Sequence, residues 1–447
     1  MNLPQAFTER TKALLGNEYN DFENALQQIP PVSVRINNKA DYQPNNDTVA
    51  WCPQAYYLKE RPVFTLDPLF HAGIYYVQEA SSMFLAYVAE KFFPQAQRVL
   101  DLCAAPGGKS TVLLQAIPED SLLVSNEIIR SRAHILAENM IKWGNANFVV
   151  SNNEPADFAR LKRFFDVVVI DAPCSGEGMF RKDPVAISEW SLNNVRLCAQ
   201  RQKEIVAAVW EALAPGGILV YSTCTFNREE NEDNIQWICE ELQAELLTVD
   251  CTNFPQITVT DGGYRFYPHK VRGEGLFMSV LRKTENDTET SSKKRKKENN
   301  KNFKIIKQED FFYRLKNDFK WTIISENNIF RAFPQKIADE MIYLEKNLRC
   351  VENGIILAEQ KGKDIIPTAQ LALSKYIDTK NLTVIDLDLE SALLYLRKDP
   401  FALEISEHGY CLVSYKNQIL GWIKNLGNRF NNLYPANWRI RMKTDRG

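Results

Sequence analysis

The chain has 447 residues, 45% of them hydrophobic and 25% charged, with a formal net charge of −2. That length allows about two to four domains and a large core, and those fractions are ordinary for a water-soluble globular protein. No run of roughly 18 apolar residues occurs, which argues against a membrane-spanning helix, and the near-neutral charge excludes a uniformly basic protein. Nine cysteines and four histidines include no C-x-x-C pair, so zinc and disulfide frameworks are poorly supported and no metal site is expected. Free thiols, with an opening stretch Met1 to Arg10 that lacks an apolar signal core, lead to the expectation of a cytoplasmic protein without membrane contact.

In chain order, residues 1–90 read as a mixed α+β leader, with a strand over Val32–Ile36 and a helix over Glu79–Glu90. From 91 to 283 strand and helix alternate. Strands are expected at Arg98–Cys103, Leu122–Ser125, Asn147–Val150, Phe165–Ile170, Gly217–Tyr221 and Leu276–Leu281. Helices are expected at Lys109–Ile117, Arg130–Trp143, Asn194–Leu213 and Glu232–Leu242. Ala133, Leu136, Ala137 and Met140 fall on one side of the second of these helices. Repeated β–α units imply a parallel sheet covered on both faces.

Residues 284–302 read as a linker. From Thr284 to Lys301 there is no apolar residue, and Lys293–Lys297 are five consecutive cations. Such a segment buries too little surface to offset its ordering entropy. Beyond it, 303–380 reads as α+β and 381–447 as mainly β, with apolar runs at Thr383–Ile385, Tyr410–Val413 and Ile419–Ile423. From Tyr410 to Gly447, Lys416, Lys424, Arg429, Arg439, Arg441, Lys443 and Arg446 face one acid, Asp445. Trp422, Phe430, Tyr434 and Trp438 are interleaved among them. This is either a nucleic-acid surface or a solvated tail over ordinary core aromatics.

Three loops at strand ends carry the chemistry, because ligands of an open parallel sheet bind beyond the carboxyl ends of its strands. Asp101-Leu-Cys103-Ala104-Ala105-Pro106-Gly107-Gly108-Lys109-Ser110 joins the first core strand to its helix. Its small residues admit close backbone approach, and the helix N-terminus favours an anionic group. The loop suits a nucleoside cofactor, yet G-x-G-x-x-G is absent and a Walker A reading fails at Cys103, where its first glycine belongs. Glu127 ends the second strand as either a ribose-binding acid or a helix-start acid. Asp171-Ala-Pro-Cys174-Ser-Gly-Glu-Gly178 and Tyr221-Ser-Thr-Cys224-Thr225 end two further strands. Together they suggest one site with two sulfurs and a carboxylate, since a thiolate of lowered pKa is a strong nucleophile. The bland alternative is that each cysteine is a small buried hydrophobe.

At these residues the chain resembles the NOL1/NOP2/Sun family of RNA cytosine C5-methyltransferases, over residues 30–283. Asp101 to Lys109 resembles its cofactor motif, and the Asp171 and Tyr221 segments its two cysteine motifs. Tyr76-Val-Gln-Glu-Ala-Ser-Ser82 and Arg35-Ile-Asn37 are similar to its leading segments. Gly354-Ile-Ile-Leu, Leu420-Gly-Trp-Ile-Lys and Asn432-Leu-Tyr-Pro435 resemble the bacterial RsmF type, which modifies 16S ribosomal RNA.

The resemblance implies an α/β fold with three parts. These are an N-terminal α+β RNA-binding segment, a Rossmann-like class I methyltransferase core, and a C-terminal α+β region ending in a PUA-like β-barrel. It implies S-adenosyl-L-methionine as cofactor, held by Cys103, Ala104, Ala105, Pro106, Gly107, Gly108 and Lys109, with Glu127, Asp171 and Asn152 completing the set. The family often has an acid where Asn152 stands. Cys224 is implied as the nucleophile, Asp171 as the residue that bonds the ring and Cys174 as the residue of release. The implied partner is 16S rRNA in the small ribosomal subunit, engaged by a monomer; transfer RNA, or a noncatalytic assembly role, is the alternative. Met179 to Lys182 is read as holding RNA or as ordinary helix entry. A fragment ending near Lys283 is expected to keep cofactor binding and lose RNA affinity.

Overall fold

The computed structural model describes residues 1–39, 44, 46–284, 304–307, 315–316, 319–404 and 406–442. Except for Thr284, the expected linker and its Lys293–Lys297 run lie outside the described residues, as do Lys443 and Arg446.

Arg98–Asp101, Leu122–Asn126 and Phe148–Ser151 pair in parallel to one side, and Phe165–Asp171 and Leu213–Thr223 to the other. The chain order reverses between Arg98–Asp101 and Phe165–Asp171, which opens the crevice where a doubly wound sheet binds ligands. Leu276–Lys283 adds antiparallel to Leu213–Thr223. Val167 to Ile170 are buried, as a strand covered on both faces requires. Gly108–Ala116 and Arg130–Trp143 cover one face. Leu192–Trp210 and Glu232–Glu241 cover the other. This is the Rossmann-like core.

Boundaries shift where local chemistry decides them. The helix expected from Glu79 starts at Phe84, after a 3-10 turn over Ser81–Met83. The Glu79 carboxylate is spent accepting from the Ser81 and Ser82 backbone N–H groups at 2.9 and 2.8 Å. Ser191 Oγ accepts from Asn194 N at 3.1 Å and starts the long helix two residues early.

The two ends of the chain fold onto this core. Helices Gln5–Leu15 and Tyr19–Gln27 bring Phe7, Phe22 and Leu26 against Phe180, Trp190, Phe226 and Tyr267. The Phe22 and Phe226 rings meet edge-on at 5.1 Å. Beyond the linker region, Cys350–Asn353 pairs antiparallel with Phe148–Ser151 and extends the core sheet. Helix Ala338–Asn347 places Ala338, Met341 and Leu344 in one cluster with Leu100, Val124 and Phe165. A boundary drawn at 303 therefore divides the sequence but not the core.

The last part is mainly β, as expected, with one α-helix. Val384–Leu387 runs parallel to Gly409–Tyr415, followed by Gln418–Asn425 and Phe430–Asn432. Helix Leu389–Arg397 interrupts these strands. The described pairing is an open four-stranded sheet, with Val384–Leu387 and Phe430–Asn432 at its two ends. The leader supplies apolar cover: Val34, Ile36, Leu69, Ile74 and Tyr75 share a core with Leu393, Tyr395, Val413, Leu420 and Ile423.

Candidate active site at the strand ends

Strand register assembles the two cysteine loops. Asp171 stands opposite Ser222, and Ser222 Oγ donates to Asp171 Oδ1 at 2.8 Å. Just beyond, Cys174 Sγ and Cys224 Sγ lie 3.1 Å apart, both as free thiols. The hydrogen bond with Cys224, then burial, pushes the Cys174 thiol well above its ordinary range. Gly178 N donates to Cys224 O at 2.8 Å. A Cβ at Gly178 would lie 2.9 Å from that oxygen, so only glycine permits this approach of the loops.

The third loop reaches the same place. Gly107, at φ +115°, lets the chain turn into helix Gly108–Ala116. Arg132 Nη2 and Asn139 Nδ2 hold the carbonyls of Ala105 and Pro106 at 2.9 and 2.8 Å. Asp101 is fully buried. Its Oδ2 accepts from Ser110 Oγ at 2.6 Å, and its Oδ1 has no partner among the described residues. Burial raises the Asp101 pKa to about 7 against the opposing effect of the Ser110 bond. Lys109 Nζ pairs with Asp171 Oδ2 at 2.9 Å and ties this loop to the cysteine site. Burial alone would lower the Lys109 pKa, but the charge and hydrogen bond of Asp171 outweigh it and the pKa is raised. A cleft of about 180 Å³ is lined by Cys103, Ala104, Ala105, Pro106, Gly108, Lys109 and Asp171. Burial raises the Cys103 thiol as well, and Cys103 lines the wall of the cleft.

Glu127 and Asn152 are not among the residues lining that cleft. Glu127 is buried; its Oε1 accepts from Ile129 N at 2.8 Å and its Oε2 faces Arg132 Nη1 at 3.2 Å. Asn152 Nδ2 donates to the carbonyls of Glu127 and Ile128 at 2.7 and 2.8 Å. Its Oδ1 accepts from Arg349 Nη1 at 3.4 Å, a contact from beyond the linker region.

The structure also supplies residues to which sequence reasoning attached no role. Tyr76, Gln78, Glu79 and Ser82 line the cleft from the leader; their motif was visible, but nothing local said which way it faced. Arg132 bridges Glu127 and the small-residue loop at Ala105, a link set by helix phase rather than by any motif. The two stretches read as RNA surface or ordinary packing divide between both: Met179 and Lys182 are exposed, while other side chains pack inward. The Arg181 side chain is only 5% exposed, donating to Glu274 Oε2 at 2.9 Å and to Ala25 O at 3.1 Å. Trp422 and Tyr434 are 1% and 2% exposed, so neither ring is available for stacking on a base. Lys416, Arg429, Arg439 and Arg441 remain exposed.

Comparison with known proteins follows this geometry. Residues 92–282 match the family described as 16S rRNA methyltransferase RsmB/F. Residues 3–80 match the N-terminal domain of 16S rRNA methyltransferase RsmF, and residues 382–440 the RsmF PUA domain. The ribosomal RNA small subunit methyltransferase F of Shewanella loihica is 30% identical over 416 residues, covering 87% of this chain and 83% of that relative. Its namesake in Aliivibrio fischeri is 28% identical over 470 residues, covering 97% of each. The crystal structure of a methyltransferase homologue from Pyrococcus horikoshii is 26% identical, with a TM-score of 0.55 over 63% of this chain and 95% of that one.

Proposed function

The chain belongs to the 16S rRNA methyltransferase F family, and from that membership we propose its reaction: transfer of a methyl group from S-adenosyl-L-methionine to C5 of a cytosine in the 16S rRNA of a small ribosomal subunit. The observation that carries this reading is the thiol pair at 3.1 Å beside Asp171, with Lys109 linking Asp171 to the small-residue loop.

The residues present fit the cofactor. Asp101 Oδ1, buried and unpartnered, suits an ammonium group. The start of helix Gly108–Ala116 suits a carboxylate. Glu127 lies at the strand end where an acid meets ribose hydroxyls, and its carboxylate oxygens each keep a lone pair beyond the bonds already made. Asn152 has spent its amide hydrogens on the backbone, so an adenine amino group would use the second lone pair of its Oδ1, beside the Arg349 bond. When bound, S-adenosylmethionine supplies an electrophilic sulfonium methyl.

C5 of cytosine is a poor nucleophile until a thiolate adds at C6. Cys224 Sγ forms that bond, and the ring's electron density moves to C5. Asp171, oriented by Ser222 and Lys109, accepts from the protonated N3 and the exocyclic amine and stabilises the adduct. C5, so activated, would accept the methyl group from the bound cofactor, whose S–CH3 bond would break to leave a thioether. The C5 proton leaves to a base, the sulfur–C6 bond breaks, and Cys224 is restored. Cys174, held as a thiol against Cys224, serves that release. The target base leaves its stack to reach both loops.

The test is methylation of purified small subunits by the wild-type chain and by Cys224→Ala, read by RNA bisulfite sequencing. New 5-methylcytosine with the wild type only is expected. Methylation by Cys224→Ala, or at another base atom, overturns the reading.

A further inference from the structure

Behind the two cysteine loops lies a buried carboxylate that the reaction above does not use. Glu230 is fully buried, and its hydrogen-bond donors among the described residues are neutral. Its Oε2 accepts from the Ser175 backbone N–H at 3.0 Å and from Gln202 Nε2 at 2.8 Å. Its Oε1 accepts from Asn227 Nδ2 at 2.7 Å. All three donors are N–H groups, so the ionised carboxylate is the form that satisfies them. Ser175 directly follows Cys174, and Asn227 closes the Cys224 loop. Gln202 Nε2 also holds Pro173 O at 3.0 Å, on the other side of Cys174. Ser175 Oγ and Thr225 Oγ1, each next to a cysteine, hydrogen-bond at 3.0 Å.

We propose that Glu230 is a positioning residue: it locks the two cysteine loops in register and, as an uncompensated negative charge behind Cys174, keeps Cys174 a thiol beside Cys224. The proposal rests on the assignment of Cys224 as nucleophile. The Glu230 charge acts on Cys174, Cys198 and Tyr221, the Glu177 charge acts on Glu230, and none of these groups is a cation. Burial raises the Glu230 pKa, and the Ser175 and Asn227 bonds oppose that rise. On Cys174, Glu230 acts in the same direction as the Cys224 bond and burial. Two thiolates at 3.1 Å would repel, whereas a thiol can donate to its neighbour's sulfur.

The first measurement needs no RNA. In the full chain carrying Cys224→Ala, alkylation of Cys174 by iodoacetamide is followed against pH by peptide mass spectrometry, with and without Glu230→Gln. Removing the charge should lower the midpoint by about one pH unit; an unchanged midpoint overturns the charge role. The second restores Cys224 and measures methyl transfer. Glu230→Gln should lower kcat by about ten- to a hundredfold with KM for RNA unchanged; wild-type kcat overturns the positioning role. Cofactor affinity reports whether each variant has folded. If Glu230→Gln loses it, Glu230→Asp carries the comparison, keeping the charge but shortening the reach. Its midpoint should stay high while kcat falls, and a lowered midpoint overturns the proposal. A wild-type chain that methylates no cytosine would defeat the proposed function instead, leaving the alkylation midpoint to decide on Glu230.

Discussion

Cys174 and Cys224 both follow strand ends, but their surroundings differ, and the proposed reaction gives them different parts. Cys174 is flanked by residues tied to Glu230, and its thiol is held protonated by Cys224 and burial. That suits release better than attack. Cys174→Ala should therefore accumulate a covalent protein–RNA complex visible on denaturing gels, and Cys174→Ala with Cys224→Ala should show none; equal crosslinking by the double variant would reject this division. Asp101 makes a second prediction. Its raised pKa, about 7, means the folded apoprotein holds a proton that the unfolded chain releases near its ordinary pKa of about 4. The fold therefore loses stability as pH rises through that window, while ionising Asp101 within the fold becomes easier toward pH 7. A cofactor ammonium on Oδ1 would stabilise the ionised form. Cofactor affinity should then climb from about pH 5.5 to about pH 7.5, and Asp101→Asn should flatten the profile in calorimetric titrations. A wild-type profile already flat would remove Asp101 from that role.

Among elements, strand Cys350–Asn353 and helix Ala338–Asn347 revise the expectation for a fragment ending near Lys283. Without them the edge strand Phe148–Ser151 loses its partner, and the cluster around Leu100 and Phe165 loses Met341 and Leu344. Each of these two side chains is fully buried, and losing one alone is worth about 2–5 kcal/mol. Arg349 would also leave: its backbone accepts from Asn152 N at 2.9 Å and donates to Asn153 Oδ1 at 3.1 Å, beside the predicted adenine contact. The fragment should melt at least 10 °C lower than the full chain (about 4–8 °C per kcal/mol for small domains, less for larger ones) and bind S-adenosylmethionine weakly. A thermal shift assay with and without the cofactor decides this, and full-strength binding would show the core to be self-sufficient.

Across the whole molecule, leader, core and C-terminal part share cores rather than linkers. The leader packs on the final sheet, and Lys375 Nζ ties the C-terminal part to Glu119 at 2.5 Å. A single body with exposed Lys416, Arg429, Arg439 and Arg441 is suited to reading RNA shape. Methylation of small subunits, naked 16S RNA, large subunits and transfer RNA should favour small subunits, and preference for transfer RNA would reassign the substrate while leaving the cysteine chemistry in place. The alternating units from Arg98 to Lys283, the cofactor loop and both cysteine motifs were legible in the sequence. Hydrophobic period and strand-to-helix turns are local properties, and the sheet's handedness rules then place such loops at one end. What stayed hidden depends on residues far apart in the chain. The Lys109–Asp171 pair, Glu230 behind Cys174, the Arg181–Glu274 pair, and the burial of Trp422 and Tyr434 follow from packing, which no single window of sequence contains. The open final sheet and the strand lent to the core were decided in the same way: an apolar face is covered by whichever segment reaches it, and only the tertiary structure says which one does.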